Sequence, residues 1–272
     1  MKHAVVATVL CLATAAPAGA VDAPGWPDLS ASIFDARPLH DGSDYIAIDS
    51  PYRSSDDART LIAAQIEAPR GRLLGKVTLV LDENPMPVSA VFSFDQPLPR
   101  FYFQTTMRIN GPTPLHVVAE TTDGQLFVAG SFVKTSGQGA CAAPPGTDPK
   151  EALATLGNMR IGIDALQGTG TSLDLMGDPA LRDRQVDVDI SHPSHSGMQM
   201  DQISLLFIPM RYVETVGIDL DGAGYVDLTG SISLSENPRV SLSVPARTRT
   251  IDVTMTDTDG TVSKAHRSLA GY

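Results

Sequence analysis

The sequence predicts an all-β protein made of two immunoglobulin-like antiparallel β-sandwich domains, joined by a linker with one short helix. Runs of about eight residues with alternating or β-branched character recur in both halves, and turn signals separate them. Between residues 142 and 184 this pattern gives way to a segment rich in glycine and proline. We therefore predict sandwich domains at 21–136 and 185–272, with a cysteine-containing arm and linker at 137–184.

The first twenty residues are typical of a secretory signal peptide. A short basic start at Lys2 is followed by an apolar run from residue 4 to 16 and by the small residues Ala18-Gly19-Ala20. The apolar run is too short to span a membrane. A cytosolic protein with an apolar N-terminus is the alternative. We expect export, a mature protein that begins near Val21, and loss of Cys11 on processing.

The first predicted domain begins irregularly and continues as six strands. Residues 22–59 are rich in Pro, Asp and Ser, and include WPDLSASIF, whose Trp26 and Phe34 we expect to dock a short helix on a core. Asp123-Gly124 between two alternating runs indicates a hairpin. The predicted strands are 61–68, 76–83, 88–94, 101–109, 115–122 and 126–134.

The linker contains a short helix, and the second domain follows it. Asp148 and Pro149 suit the N-cap and first turn of a helix over 149–158, and Gly157 suits its end. The second domain shows seven alternating runs with glycine-containing turns. These predicted strands are 184–191, 201–209, 212–220, 225–233, 239–246, 250–257 and 261–269.

The charge of the protein restricts its partners. The formal net charge is −11, and loss of Lys2 with the signal peptide makes it one unit more negative. Such a charge disfavours nucleic acid and anionic membrane surfaces, and suits basic faces of other exported proteins. No second apolar stretch approaches the ~18 residues of a membrane span.

Cys141 is the main candidate functional residue. Without Cys11 it is the only cysteine of the exported protein, whereas cysteines in oxidising compartments usually pair. An unpaired thiol is either reactive or waits for an external partner; a buried, inert thiol is the alternative. The neighbouring residues are small and flexible, which predicts an exposed thiol on a mobile arm. These residues are Gly137, Gly139, Ala140 and Ala142.

Two histidines are a weaker candidate site. His192 and His195, followed by Met198 and Met200, could in principle form a copper site. We interpret the segment instead as a loop that precedes a strand, and expect no metal and no cofactor.

Two further patterns have structural interpretations. Residues 219–224 resemble the start of an EF-hand, but Ala223 and Gly230 occupy positions five and twelve, which need oxygen ligands, so we predict a hairpin. His116 lies in an alternating strand and is expected to be structural. No Ser-His-Asp, paired-carboxylate or phosphate-loop pattern stands out, so the sequence does not indicate an enzyme.

Particular segments resemble a known family. VKTSGQGAC at the end of the first domain resembles the sulfur-carrier subunit SoxY, in which the last strand leads into a glycine-rich arm around one cysteine. VDVDISHPSHSGMQMDQISLLFIPMRYVETVGIDLDG resembles SoxZ, with its Ser-His-Pro motif and alternating strands. Together they resemble the fused SoxYZ-like carriers associated with quinoprotein dehydrogenases, over nearly the whole mature protein.

The resemblance implies a periplasmic carrier for sulfur-compound oxidation, such as thiosulfate oxidation. In the family, the cysteine that matches Cys141 holds oxidised sulfur intermediates while separate enzymes load, hydrolyse and oxidise them. Implied partners are sulfur-oxidising enzymes, a c-type cytochrome or a quinoprotein dehydrogenase, and the two halves are expected to pack together. SoxY ends shortly after Gly-Gly-Cys-Gly-Gly, whereas here Pro144-Pro145 and a whole domain follow, so the arm is tethered at both ends.

Three hypotheses follow. The protein is a covalent carrier that works through Cys141, which the resemblance favours. Alternatively, it is a non-covalent accessory protein that binds a periplasmic dehydrogenase or cytochrome, with the cysteine incidental. A thiol-transferase enzyme is the third hypothesis, but nothing near Cys141 in the sequence supplies a resolving cysteine or a base.

Overall fold

The structure is a computed structural model that describes residues 25–165 and 183–269. The predicted signal peptide and part of the predicted linker lie outside these residues. The two helices of the described residues are α1 (Trp26–Ile33) and α2 (Pro149–Ala154). Their strands are β1 (Leu39–Asp41), β2 (Ile46–Asp49), β3 (Thr60–Glu67), β4 (Leu74–Leu81), β5 (Val88–Leu98), β6 (Arg100–Met107), β7 (Thr113–Thr121), β8 (Leu126–Val133), β9 (Met159–Ala165), β10 (Arg184–Ile190), β11 (Val213–Leu220), β12 (Ala223–Gly230), β13 (Arg239–Val244), β14 (Thr250–Asp257) and β15 (Val262–Ser268).

The strands form two sheets, and each sheet contains strands of the first half of the protein (β1–β8) and of the second half (β9–β15). The nine-stranded sheet has the order β1-β8-β7-β4-β5-β12-β11-β14-β15, and the six-stranded sheet has the order β2-β3-β6-β13-β10-β9. Neighbouring strands are antiparallel except β1 and β8, which are parallel. The all-β sandwich prediction is confirmed, and the two halves pack together as the resemblance implies.

The halves join through strand pairs in both sheets. Phe92 of β5 lies opposite Leu228 of β12, and Phe103 of β6 lies opposite Leu242 of β13. All four side chains are buried in one hydrophobic cluster that contains residues of both halves. Because pairing removes an open strand edge from each half and buries these side chains, the joint is stabilised by hydrogen bonds and by the hydrophobic effect.

The alternation in the sequence corresponds to one buried face per strand. In β14, Ile251, Val253 and Met255 are buried, while most residues between them are half-buried. β15 pairs with β14 at the edge of the nine-stranded sheet and is mostly exposed. The predicted strand 250–257 therefore coincides with β14, and the predicted strand 261–269 matches β15 to within one residue at each end.

Helix α1 docks where the sequence predicts. Trp26 and Phe34 are buried against Val80 and Leu126. The Trp26 ring stacks on His116 with 3.6 Å between ring centroids. The buried ring of this histidine lies with its Nδ1 2.9 Å from a carboxylate oxygen at the end of β4. His116 therefore has the structural role expected for it.

Some predicted elements differ from the structure. The predicted strand 201–209 is a loop, because Oδ1 of Asp201 accepts hydrogen bonds from the backbone N–H groups of Ile203 (3.1 Å) and Ser204 (2.6 Å), which turns the backbone. The short strands β1 and β2 lie in the segment expected to be irregular, and β9 lies in the predicted linker.

Helix α2 follows its prediction at one end only. It starts at Pro149 with Asp148 as its N-cap, as the sequence indicates, but ends at Ala154. The domain boundaries stay predictions. No helix among the described residues is both long enough and apolar enough to cross a bilayer.

Candidate functional site

Cys141 is fully buried, so the predicted exposure of its thiol is wrong. It lies on the segment 134–147, which follows β8 and which we call the arm. Gly137 and Gly139 have φ angles of +83° and +74°, which suit glycine, and the N–H of Ala142 donates to the C=O of Gly139 at 3.0 Å. The small residues therefore let the arm fold tightly onto the protein, which buries the thiol, and the flexibility predicted for the arm stays a prediction.

The first half anchors the N-terminal part of the arm. Oδ2 of Asp57 accepts hydrogen bonds from the N–H of Ser136, at 2.8 Å, and from its hydroxyl. Oδ1 of Asn110, just beyond β6, accepts from the N–H of Cys141 at 3.2 Å. These contacts fix the backbone at two points of the segment that leads to the thiol.

The second half closes over the C-terminal part of the arm. The hydroxyl of Ser196 donates to the C=O of Cys141, and Nε2 of Gln199 donates to the C=O of Ala143 at 2.9 Å. The carboxylate of Glu236 accepts from two further backbone N–H groups, those of residues 146 and 147, both at 2.8 Å. The cysteine is thus held between the two halves of the protein.

Arg108 is a buried cation beside the arm. Arg108 directly follows β6 in the sequence. Its Nη1 donates to the C=O groups of Ser194 at 2.5 Å and Leu234 at 2.9 Å. Burial lowers the pKa of Arg108, and the nearby Cys141 and Glu236 oppose this shift. Arg108 therefore pins the first half to two backbone segments of the second half.

The surroundings of Cys141 disfavour the thiolate form of its side chain in this conformation. Burial raises its pKa, and the positive charge of Arg108 offsets this only in part. Because the thiolate is the nucleophile, burial suppresses both access to the sulfur and its ionisation.

The two candidate copper ligands have separate structural roles. His192 is buried; its Nδ1 accepts from the N–H of Ser194 at 2.9 Å, and its Nε2 lies 3.3 Å from Oδ2 of Asp257. Burial lowers the pKa of His192 to about 4. His195 is half-buried with Nδ1 3.1 Å from Oε1 of Gln199. Among the described residues no group of three or more His, Cys, Asp or Glu side chains could hold a metal ion.

The segment that resembled an EF-hand is a hairpin between β11 and β12, as predicted. Oδ1 of Asp221 accepts from the N–H groups of Arg249 and Thr250, both at 2.9 Å. Its carboxylate thus fastens the hairpin to the start of β14.

Two open clefts flank the arm. One has a volume of about 530 Å³ and is lined by Ser54, Asp57 and Gln138 among others. The second, of about 290 Å³, is lined by Arg59 and Arg108 among others. Residues of the arm line both clefts; the arm residues that they share are Ala140, Ala143 and Pro144, and both clefts also contact Asp56 and Ala58.

An exposed apolar surface adjoins the residues that hold the arm. It comprises the loop 200–210, which we call the apolar loop and whose large exposed side chains are Met200, Ile203, Leu205, Leu206, Phe207 and Met210. Ile203 is 94% exposed and Phe207 67%. The N–H of Ile208 donates to the C=O of Gln199 at 2.8 Å, so the loop is directly connected to a residue that binds the arm.

The role of the segment 191–199 is not evident from the sequence. The Ser-His-Pro motif within it is interpretable as a loop before a strand, whereas the segment supplies Ser196 and Gln199 to the arm and the C=O of Ser194 to Arg108. The sequence does contain a signal that this segment is a loop, because its run of small and polar side chains does not suit a strand with a buried face.

Comparison with protein families gives two matches in this protein. Residues 30–141 match "Sulfur oxidation protein SoxY" and residues 179–267 match "Sulphur oxidation protein SoxZ". The two matches together span more than half of the sequence, and the first ends at Cys141.

Solved structures with some similarity include the sulfur carrier protein SoxY from Chlorobium limicola f thiosulfatophilum, at 24% identity and a TM-score of 0.35, over 40% of this chain and 94% of that one. A superoxide reductase (neelaredoxin) from Ignicoccus hospitalis is similar at 13% identity and a TM-score of 0.28, over 40% of this chain and 92% of that one. The search of curated proteins finds no match.

Proposed function

Because the protein belongs to the SoxY and SoxZ families of sulfur-oxidation proteins, fused in one polypeptide, we propose that it is a periplasmic carrier that holds a sulfur-containing intermediate covalently on Cys141. The observation that carries this proposal is the position of Cys141. It is the last residue of the SoxY match, and the sequence contains one other cysteine, Cys11, which lies in the predicted signal peptide.

In this proposal the protein supplies the thiol and its partners supply the catalysis. The partners are sulfur-oxidising enzymes of the periplasm, with a c-type cytochrome or a quinoprotein dehydrogenase as electron acceptor. The buried, neutral thiol of the closed arm suits a carrier at rest, since it is protected from oxidants of the compartment. Release of the arm then exposes the sulfur and permits its ionisation.

Intact-mass measurement of the protein purified from its native periplasm tests the carrier role. We expect mass additions on the wild type that reductant or sulfide removes, and none on Cys141→Ser. Since serine is close to cysteine in size, the variant should retain the fold, which far-UV circular dichroism checks. An unmodified thiol under every growth condition, together with full function of Cys141→Ser, would overturn the proposal.

The apolar loop favours a second candidate function, that of a non-covalent adaptor. Large exposed apolar side chains on one loop are typical of protein interaction sites. In this alternative the loop binds a periplasmic quinoprotein dehydrogenase or cytochrome, and Cys141 is incidental.

The double substitution Leu206→Ser and Phe207→Ser tests the adaptor role. If the loop is the binding surface, we expect at least about tenfold weaker retention of the dehydrogenase or cytochrome in pull-down, because a few buried anchors dominate the energy of an interface. Leu61→Ser, an exposed apolar position on β3, is the matched control. Retention that survives the double substitution contradicts the adaptor role, and retention that survives Cys141→Ser supports it.

A further inference from the structure

The closed arm leaves no room beside the sulfur of Cys141. The relative exposure of this residue is 0%, so not even a water-sized sphere reaches it from the solvent or from an internal space. Protein interiors are close-packed and do not absorb several added atoms without movement. A sulfur adduct on Sγ therefore cannot occupy the closed conformation as it stands.

We propose that a sulfur adduct on Cys141 and the closed arm are mutually exclusive, so that loading the thiol releases the middle of the arm, around Cys141, and unloading lets it close again. This inference rests on the proposed carrier function. In this proposal the presence of the adduct on Cys141 determines whether the arm is accessible to partners.

The contacts that would be released are few: the hydrogen bond from the N–H of Cys141 to Asn110 of the first half, and two hydrogen bonds across the joint between the halves. Ser196 and Gln199 bind the backbone carbonyl oxygens of Cys141 and Ala143, at the thiol and just beyond it. We call these two hydrogen bonds the latch. Both are made to backbone atoms, so the latch recognises the folded arm and not the chemistry of the cargo.

The anchors on either side set how far the arm moves. Ser136 is held by Asp57, and Gly146 and Thr147 are held by Glu236, so the part of the arm between them forms a short loop fixed at both ends. Breaking the latch allows this loop to move outward while its ends stay in place. A thiol tethered in this way can reach the surface without unfolding either half.

Tetrathionate provides a loading reaction of defined chemistry. The thiolate of Cys141 attacks an inner sulfur of tetrathionate, a new S–S bond forms, and the central S–S bond of the reagent breaks. Thiosulfate leaves with the electron pair, the thiol proton passes to solvent, and Cys141 carries a thiosulfonate. Tetrathionate is the oxidant, and intact mass reports the product.

Hydrogen exchange on the loaded protein tests the proposal. We expect the amides of Cys141, Ala142 and Ala143 to exchange at least about tenfold faster after loading with tetrathionate, since their hydrogen bonds belong to the closed arm. The anchored amides of Gly146 and Thr147 should not change. Cys141→Ser treated with tetrathionate is the control and should show no change either. A loaded protein whose arm exchanges as slowly as the unloaded one would overturn the proposal.

Removal of the latch gives an independent measurement. In the double variant Ser196→Ala and Gln199→Ala, we expect N-ethylmaleimide to alkylate Cys141 about tenfold faster or more than in the wild type, because two hydrogen bonds that hold the arm closed are lost. Ser204→Ala is the matched control, since its hydroxyl bonds Asp201 within the apolar loop and not the arm. Circular dichroism checks that both variants fold.

The outcomes separate this inference from the carrier role. Equal alkylation rates in latch variant and control contradict the latch, as does failure of tetrathionate to load either the wild type or the latch variant. Neither result depends on adducts formed in the cell. Conversely, a protein without adducts in its native periplasm contradicts the carrier role, even if the isolated arm opens on loading.

Discussion

Replacing Arg108 with methionine is expected to lower the free energy of unfolding by about 3 kcal/mol. Arg108 is 2% exposed, and its guanidinium donates to the C=O groups of Ser194 and Leu234 at 2.5 and 2.9 Å. Charge-assisted hydrogen bonds contribute about 1.5–3 kcal/mol each, and their loss leaves buried carbonyl groups without these donors. Removal of a desolvated charge offsets part of this loss, as in other buried ionic groups, but methionine supplies no donor.

Urea-induced unfolding measures this effect, with Arg160→Met as the matched control. The side chain of Arg160 is 81% exposed and makes a 3.2 Å contact with Asp189, so its loss should change stability by less than about 0.5 kcal/mol. Because Arg108 connects the halves, its loss should also speed alkylation of Cys141 on the adjacent arm. A stability of Arg108→Met equal to that of the control would show that the buried guanidinium does not hold the halves together.

The strands are predictable from the sequence because each has one face in the core. β14 shows this clearly, since Ile251, Val253 and Met255 alternate with residues that are mostly half-buried. The joint between the halves is not predictable from the same pattern. Phe92 and Leu228 have the pattern of ordinary inward-facing residues, and the alternation does not specify which strand of the other half lies beside them.

The candidate cysteine can be identified from the sequence, but its burial cannot. Small neighbours such as Gly139 and Ala140 permit an exposed, mobile loop and a tightly folded one equally, and local sequence does not decide between them. Burial comes from Ser196 and Gln199, which lie far along the sequence. In the apolar loop the local sequence pattern is misleading. Its alternation predicts a strand, whereas the side chain of Asp201 turns the backbone there.

Acidification is expected to destabilise the protein between pH 6.5 and about 4, by about 3 kcal/mol over that window through His192. Burial lowers the pKa of His192 from 6.5 to about 4, so the unfolded state binds more protons than the folded state in this range. The contribution is therefore fully present above pH 6.5 and is lost as the pH falls through the window. Urea unfolding at a series of pH values measures it.

The groups around His192 determine what its protonation would break. Nδ1 accepts from the N–H of Ser194, so a proton on Nδ1 replaces that hydrogen bond with two opposed N–H groups. Asp257 faces Nε2 and favours the charged form, but Arg211, which lies 2.8 Å from Asp257, and His195 oppose it.

Two of these neighbours add to the loss of stability at acidic pH. Burial lowers the pKa of His195, so protonation of this ring also favours the unfolded state. Burial raises the pKa of Asp257, but the hydrogen bonds that its carboxylate accepts outweigh burial and leave the pKa below its usual value. The stability that this carboxylate contributes is therefore present at neutral pH and is lost as the pH falls through its lowered pKa.

His192→Gln is the matched variant for this prediction. A glutamine can accept from Ser194 and donate to Asp257, as the neutral imidazole does, but it does not titrate. We expect the variant to lose most of the pH dependence between 6.5 and 4 while it stays folded at neutral pH. An unchanged slope would show that other groups cause it.

Protonation of His192 also acts on the loop that encloses the thiol. The same loop supplies Ser196 and Gln199, which bind the arm on and beyond Cys141. Because His192 accepts from the N–H of Ser194, two residues before the latch residue Ser196, its charging disturbs the arm first. Acid should therefore loosen the arm before it unfolds the sandwich, which faster hydrogen exchange of residues 139–147 at pH 5, without loss of the far-UV circular dichroism signal, would show. Exchange of this segment that accelerates only together with global unfolding would contradict the link between His192 and the arm.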